Sequence, residues 1–491
     1  MSITIISPKR SVLYRPKIFI LVIVASVILW SLMRNSLDVL ILLVIAGLFI
    51  YGLKKPLWIM AALIVSQLTL TGYMVTTPFF ISLRLLLLFL TILVMGKAFL
   101  RREVDIGPGA RRIIIPMILL IAIGLLANLT NVGFDEAFKD FRNMLVGLLF
   151  AVFFVAIINT NKQLKIICIV TCLVIAASAV IGILQHFNIL GMTDATVIPG
   201  FLTNSPEDQR VPGITESELE LAYVLSATLV IILCLYLTKM VSSGRKLLLI
   251  SMVLIFTALY FTYTRSALFA WGLGVTALVL FIKTRIKWEL ILVILFLVIG
   301  FFVQTDILGK TYFSGRSERS QLESSVSRTI LWQAAVGTAI ANPVLGIGAN
   351  QFISVSPQYA TSVDPSLIKW EQDRYWDWRT LGTLAPHNDF LNVWVSYGTI
   401  ALIMYVWLHF TIVKNCFLSF KNSKNRFIKG LALGLAAALV TYMANSFYHN
   451  ISGTLPLLWI IAGFSAATIK LAAKIKDGQE ISQPKRLSAN T

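Results

Sequence analysis

Fourteen apolar runs, most about 17–22 residues long and nearly free of charge, set the limits on this fold. They lie near 17–33, 36–53, 56–74, 79–99, 112–129, 141–158, 164–184, 219–239, 245–261, 264–282, 287–303, 387–413, 427–447 and 454–473. At about 1.5 Å per residue, each run can cross a hydrocarbon layer about 30 Å thick. Inside lipid a chain must satisfy its own backbone donors and acceptors, so a spanning segment is either a helix or part of a closed barrel. None of the runs alternates as barrel strands do, so helices are expected. The composition agrees: 57% of the 491 residues are hydrophobic and 13% charged, against about a quarter charged in soluble domains. The expected fold is an all-α integral membrane protein with about fourteen transmembrane helices. Ser31–Arg34 and Tyr263–Arg265 leave little room for a turn, which widens the range to 12–14.

Charge orients the spans. With the N-terminus inside, inner segments hold 29 of the 42 basic residues, and outer segments hold 18 of the 23 acidic ones. That partition follows the positive-inside rule and places both termini in the cytoplasm. The formal net charge of +19 therefore reports topology and contact with anionic membrane lipid, and no nucleic-acid partner is expected. Basic residues precede the first run without a small-residue cleavage site, so it reads as a retained helix. Cys168 and Cys172 are four apart on one helix but have no His or carboxylate beside them. They read as packing residues, and no metal site is expected.

The chain reads as a single polytopic membrane domain over 1–491. It has an outer loop at 185–218, a large outer loop at 304–386 and a flexible cytoplasmic tail at 474–491. Long loops in compact proteins are usually functional. Within the larger one, Ser327 reads as the N-cap of a helix whose apolar face is Ile330, Leu331, Ala334, Ala335, Thr338 and Ala339. Asn342-Pro343 stops it and Gly346-Ile347-Gly348 turns the chain. This amphipathic helix is expected to lie along the outer membrane face, apolar side down.

Arg210, Arg265 and Arg328 fall at outer span boundaries or the start of that helix, with Arg316 and Arg319 in looser sequence nearby. A guanidinium suits phosphate because its planar fork donates paired hydrogen bonds and keeps its charge. His387, in Pro386-His387-Asn388, would exchange protons near neutral pH. Asn388 is placed either to orient it or to bind sugar hydroxyls, and Asp389 to hold its other ring nitrogen. His186, His409 and His449 read as structural. The stretch from Trp370 to Trp378, with Glu371, Asp373 and Asp377, suggests a sugar-stacking surface or a lid.

Together these pieces resemble the O-antigen ligase and O-antigen polymerase (Wzy-like) family. The resemblance lies in Arg210-x-x-Gly213, Thr264-Arg265-Ser266, Arg328-x-x-x-Trp332, Asn342-Pro343-x-x-Gly346-x-Gly348-x-x-x-Phe352, and His387-Asn388-x-x-Leu391 with Gly398. It departs at Ser396, where an acidic residue is expected. The resemblance covers about 200–410. It implies a GT-C-like glycosyltransferase of the bacterial cytoplasmic membrane that needs neither metal nor cofactor. Its donor would be an undecaprenyl-pyrophosphate-linked oligosaccharide and its acceptor another glycan. A flippase and a chain-length regulator would be pathway partners. By this resemblance His387 is the general base, and Arg210, Arg265 and Arg328 bind the pyrophosphate.

A polysaccharide polymerase is favoured over a ligase by the long loop before His387. The other class considered, a polysaccharide or lipid transporter or flippase, would place charge at the bilayer midplane. Here only Arg84 lies well inside an apolar run.

Overall fold

The computed structural model describes residues 55–69, 91–96, 100, 106–189, 211–215, 217–238, 245–281, 318–362, 385–450 and 457–476. The regular elements among them are helical. In chain order they are α1 (Pro56–Thr69), α2 (Pro108–Asn131), α3 (Phe134–Ile157), α4 (Asn161–His186), α5 (Glu218–Leu237), α6 (Arg245–Phe261), α7 (Arg265–Phe281) and α8 (Glu318–Ala341). The single turn α9 (Phe352–Val355), a 3₁₀ turn (Ser356–Ser362), α10 (Asp389–Asn422), α11 (Arg426–Ser446) and α12 (Leu457–Lys476) complete the series. Six of these helices are long and apolar enough to cross a membrane: α2, α3, α4, α5, α10 and α11. The expected spans at 17–33, 36–53 and 287–303, and most of 79–99, lie outside the described residues.

The helices begin where local chemistry satisfies their first N–H groups. Thr160 and Gln163 form a reciprocal capping box at α4. Ser217 caps α5 through the Glu220 N–H, and Asn425 caps α11 through Phe427 and Ile428. Pro108 opens α2, where its missing N–H costs nothing.

Contacts along the helices give the bundle two distinct ends. Tyr223 meets His449, Ser226 accepts from Asn445, and Cys234 donates to the Gly430 carbonyl, so α5 and α11 are antiparallel. Gly274 of α7 lies against Ala437 and Thr441 of α11 and Val230 of α5. One end therefore carries the start of α5, the start of α7, the end of α11 and the α2–α3 turn. The other carries Arg111, Arg112, Lys162, Lys165, Arg245, Lys246, Lys421, Lys424 and Arg426 near helix termini.

Helix α10 breaks at Gly398, which has φ +85° and ψ −179°. Phe390 stacks edge-on against Tyr405 at 5.4 Å and approaches His409 at 5.6 Å between ring centroids. On a continuous helix those residues would be about 22 Å and 28 Å further along the axis. The segment 389–397 therefore turns back against 399–422. The expected span at 387–413 needs correcting: the apolar run is two helices, and the membrane-length one is 399–422.

The break is held from outside the helix. Ile347 N–H donates to the Val395 carbonyl at 2.9 Å, Gly348 N–H to the Ser396 carbonyl at 2.9 Å, and Thr399 N–H to the Pro343 carbonyl at 2.8 Å. The 342–349 turn thus takes the carbonyls that the break leaves without helical partners. Asn128 Oδ1 fixes the same turn through the Ala349 N–H at 2.7 Å. Its amide donates to Asp140, which also accepts from Tyr397.

Two further expectations change. Helix α8 begins at Glu318, so Ser327 is inside it and is not its cap. Its apolar face does not lie on the membrane. Ile330, Leu331, Ala334, Ala335 and Ala339 cluster with Ile347, Phe352 and Val395, and with Leu391 and Trp394 of the turned-back segment. The stop at Asn342-Pro343 is where the sequence placed it.

Candidate active site

The turned-back segment begins at a pair of His-Asn dipeptides. Asn388 caps 389–397 by accepting from the Leu391 N–H at 3.1 Å. Its amide donates to the Phe447 carbonyl at 3.1 Å, and its backbone N–H donates to Asn450 Oδ1 at 2.8 Å. His387-Asn388 and His449-Asn450 are clasped side by side at the end of α11. The two imidazole rings meet edge to face, 5.6 Å apart between centroids and at 83°. His387 holds φ +50°, a left-handed conformation that costs a non-glycine residue energy and persists only where its surroundings enforce it.

Helix α8 lays Arg328 and Trp332, one turn apart, against this clasp. Arg328 Nη2 lies 3.2 Å from His449 Nε2. Trp332 packs against Phe447 and Tyr448, with its indole N–H buried and without a hydrogen-bond partner among the described residues. Tyr223, buried on α5, approaches His449 at 5.6 Å between ring centroids. One turn earlier on α5, Glu220 is also buried.

Burial lowers the His387 pKa from its ordinary 6.5, and the nearby Arg328 charge lowers it further. Both effects disfavour imidazolium, so the ring is neutral at pH 7 and keeps a lone pair for a proton. Asp389 is fully buried and accepts from Tyr442, whose hydroxyl also contacts Tyr405.

The structure brings three of the sequence candidates together around His449 and Asn450: Arg328, His387 and Asn388. Arg265 opens α7 at the same end of the bundle. It stands nine residues, about 13 Å, beyond the contact of Gly274 with Val230, Ala437 and Thr441. That puts it level with Glu220–Leu221 on α5 and with the segment carrying His449. Arg210, Arg316 and the Trp370–Trp378 stretch lie outside the described residues. The Gly213 of the Arg210 motif is described. It has φ +60°, and Gln185 pins it by accepting its N–H at 2.8 Å and donating to its carbonyl at 3.0 Å. Among the described residues, no group of three or more His, Cys, Asp or Glu side chains is placed to hold a metal ion.

Sequence reasoning missed His449, Tyr223 and Glu220. His449 read as structural, and the one signal that could have raised it is that His449-Asn450 repeats the His387-Asn388 dipeptide just beyond a span.

Residues 250–406 match the family model described as O-antigen ligase. The chain carries an O-antigen ligase-like domain. The match includes Arg265, Arg328, His387, the 342–349 turn and the Gly398 break, whereas Arg210 and His449 lie on either side of it. No curated protein matches the chain. Its apolar helices are those of a multi-pass membrane protein, and the matching domain supports a function of the O-antigen ligase/polymerase type in general.

Proposed function

We propose that the protein polymerises a cell-surface polysaccharide. In this reading it transfers glycan from an undecaprenyl-pyrophosphate-linked donor to an acceptor sugar hydroxyl, at the outer face of the cytoplasmic membrane. The observation that carries it is the contact of the Arg328 guanidinium with His449, whose ring meets that of His387, at the less basic end of an apolar bundle. Glycosyl transfer from a lipid pyrophosphate asks for these two groups. A base takes the acceptor proton as the new glycosidic bond forms, and fixed positive charge stabilises the pyrophosphate as the anomeric C–O bond breaks.

In this proposal His387 is the base and Arg328 contacts the leaving group, with Arg265 and Arg210 completing its cradle. The bonds described for Asn388 run to the protein, so it is assigned to holding His387 in place. Direct displacement inverts the anomeric carbon. The leaving group is already an activated lipid pyrophosphate, so no further cofactor enters the scheme.

A ligase is the second reading, favoured by the description of the matching family. It shares the donor half of the site and differs only in acceptor. The test is the size ladder of glycan in a strain lacking the gene, complemented with the wild type or with His387→Ala. Loss of all but single-repeat product, restored only by the wild type, supports the polymerase. Full-length lipid-linked polymer that is no longer passed to its final acceptor supports the ligase instead. An unchanged ladder on both lipid and acceptor overturns the assignment.

A further inference from the structure

Arginine carries five N–H donors and no acceptor. The 3.2 Å contact between Arg328 Nη2 and His449 Nε2 is therefore a hydrogen bond only if Nε2 is bare. That fixes His449 as the neutral tautomer with its proton on Nδ1. Its ring contacts those of Tyr223 and His387, each 5.6 Å away between centroids. The next residue ties the chain to the catalytic loop through Asn450 Oδ1 and the Asn388 N–H. Arg328 itself sits on a helix packed against the turned-back segment. A long flexible side chain thus meets an acceptor whose own position is set from three directions.

We propose that His449 is a positioning residue for Arg328, accepting its guanidinium on Nε2 and aiming it beside His387. This rests on the glycan-transfer reading above, in which Arg328 meets the pyrophosphate. A free arginine side chain samples many rotamers and loses that freedom when it is held. Fixing it before the reaction is what makes a charge effective on a developing anion. His449 touches neither the transferred sugar nor the base proton in this arrangement and acts through Arg328.

The test uses purified full-length protein and an undecaprenyl-pyrophosphate-linked oligosaccharide, with initial rates measured for His449→Gln, His449→Phe, Arg328→Gln and the Arg328→Gln/His449→Phe pair. Phenylalanine keeps the ring packing but removes the acceptor. It should lower kcat about 10- to 100-fold, as loss of a hydrogen bond to a charged group does, with the KM for donor little changed. Glutamine offers an oxygen acceptor and should restore most of the rate. The double variant should be no slower than Arg328→Gln alone, because one residue acts through the other.

Glutamine as slow as phenylalanine, a double variant far slower than Arg328→Gln, or phenylalanine at wild-type rate would each overturn the assignment. If His449→Phe fails to insert, His449→Leu takes its place in the cycle. Absence of transfer by the wild type overturns the proposed function itself. Transfer by the wild type with a series that departs from this pattern overturns only the role of His449.

Discussion

At the scale of single residues, the proposed chemistry turns on one proton and one positive charge. His387 acts as a base only when neutral. Its pKa is lowered from 6.5 by burial and by Arg328, so the acid limb of kcat/KM should have its midpoint below pH 6.5. Removing Arg328 removes a like charge that opposes protonation. In Arg328→Gln the His387 pKa therefore rises, and the limb of the residual activity should move to higher pH. A limb that stays put or moves down would place the titrating base elsewhere. Arg265→Lys keeps the charge but loses the planar fork. Its kcat/KM should fall by at least about tenfold, the loss of one charge-assisted hydrogen bond, and wild-type kinetics would remove Arg265 from the phosphate cradle. Arg265, Arg328 and His387 stand out as candidates in the sequence because each sits in a short pattern, although only Arg265 and His387 fall at a helix boundary and Arg328 lies inside α8. His449 and Tyr223 do not. Their relevance lies in contacts that only the antiparallel pairing of α5 with α11 creates, and nothing in the spacing of 223, 328, 387 and 449 reveals it.

At the scale of elements, the site depends on a helix that stops and turns back. A Cβ on Gly398 would come within 2.1 Å of the Val344 carbonyl oxygen, and one on Gly346 within 2.3 Å of the Val395 carbonyl oxygen. Both residues also have positive φ. Alanine at either position meets backbone that cannot swing aside, and it is strained by at least about 1 kcal/mol in any case. Gly398→Ala should therefore lower the thermal midpoint in detergent and reduce transfer together, because Asn388 and His387 sit at the far end of the segment it anchors. Gly96→Ala is the matched control, since a Cβ there has nothing within 4 Å, and it should change neither. Equal behaviour of the two variants would refute the account of the break. Hydropathy could not expose this feature. The residues 389–397 and 399–413 form one apolar run, and an isolated glycine in such a run is usually tolerated. The groups that stabilise the break, the Ile347 and Gly348 N–H groups and the Pro343 carbonyl, come from about fifty residues upstream. The same break decides where α8 lies. Its apolar face follows from its periodicity, but what covers it is the turned-back segment, which the sequence does not advertise.

At the scale of the whole molecule, the helical class and several span boundaries among the described residues follow from hydropathy alone. The run at 245–261 coincides with α6, and α7 and α11 differ from their expected ranges by one residue at each end. Lipid leaves helices few alternatives, so composition suffices where chemistry at a site does not. The bundle also separates its charges along the axis, with the basic termini gathered at the end away from Arg328 and His387. A donor carried by a flipped lipid can be used only if the site end faces outward, which makes sidedness a direct test of the proposed reaction. Phe134, 71% exposed at the first position of α3, marks the site end, and exposed Lys424 between α10 and α11 marks the basic end. Three of the four native cysteines are buried and Cys172 is half-buried within the apolar helix α4, so background reaction should be low. In intact cells a membrane-impermeant maleimide should label Phe134→Cys and not Lys424→Cys, with both labelled once the membrane is opened. The reverse pattern would turn Arg328 and His387 toward the cytoplasm, where an outward-flipped lipid-linked glycan cannot reach them, and the donor assignment would fall with it.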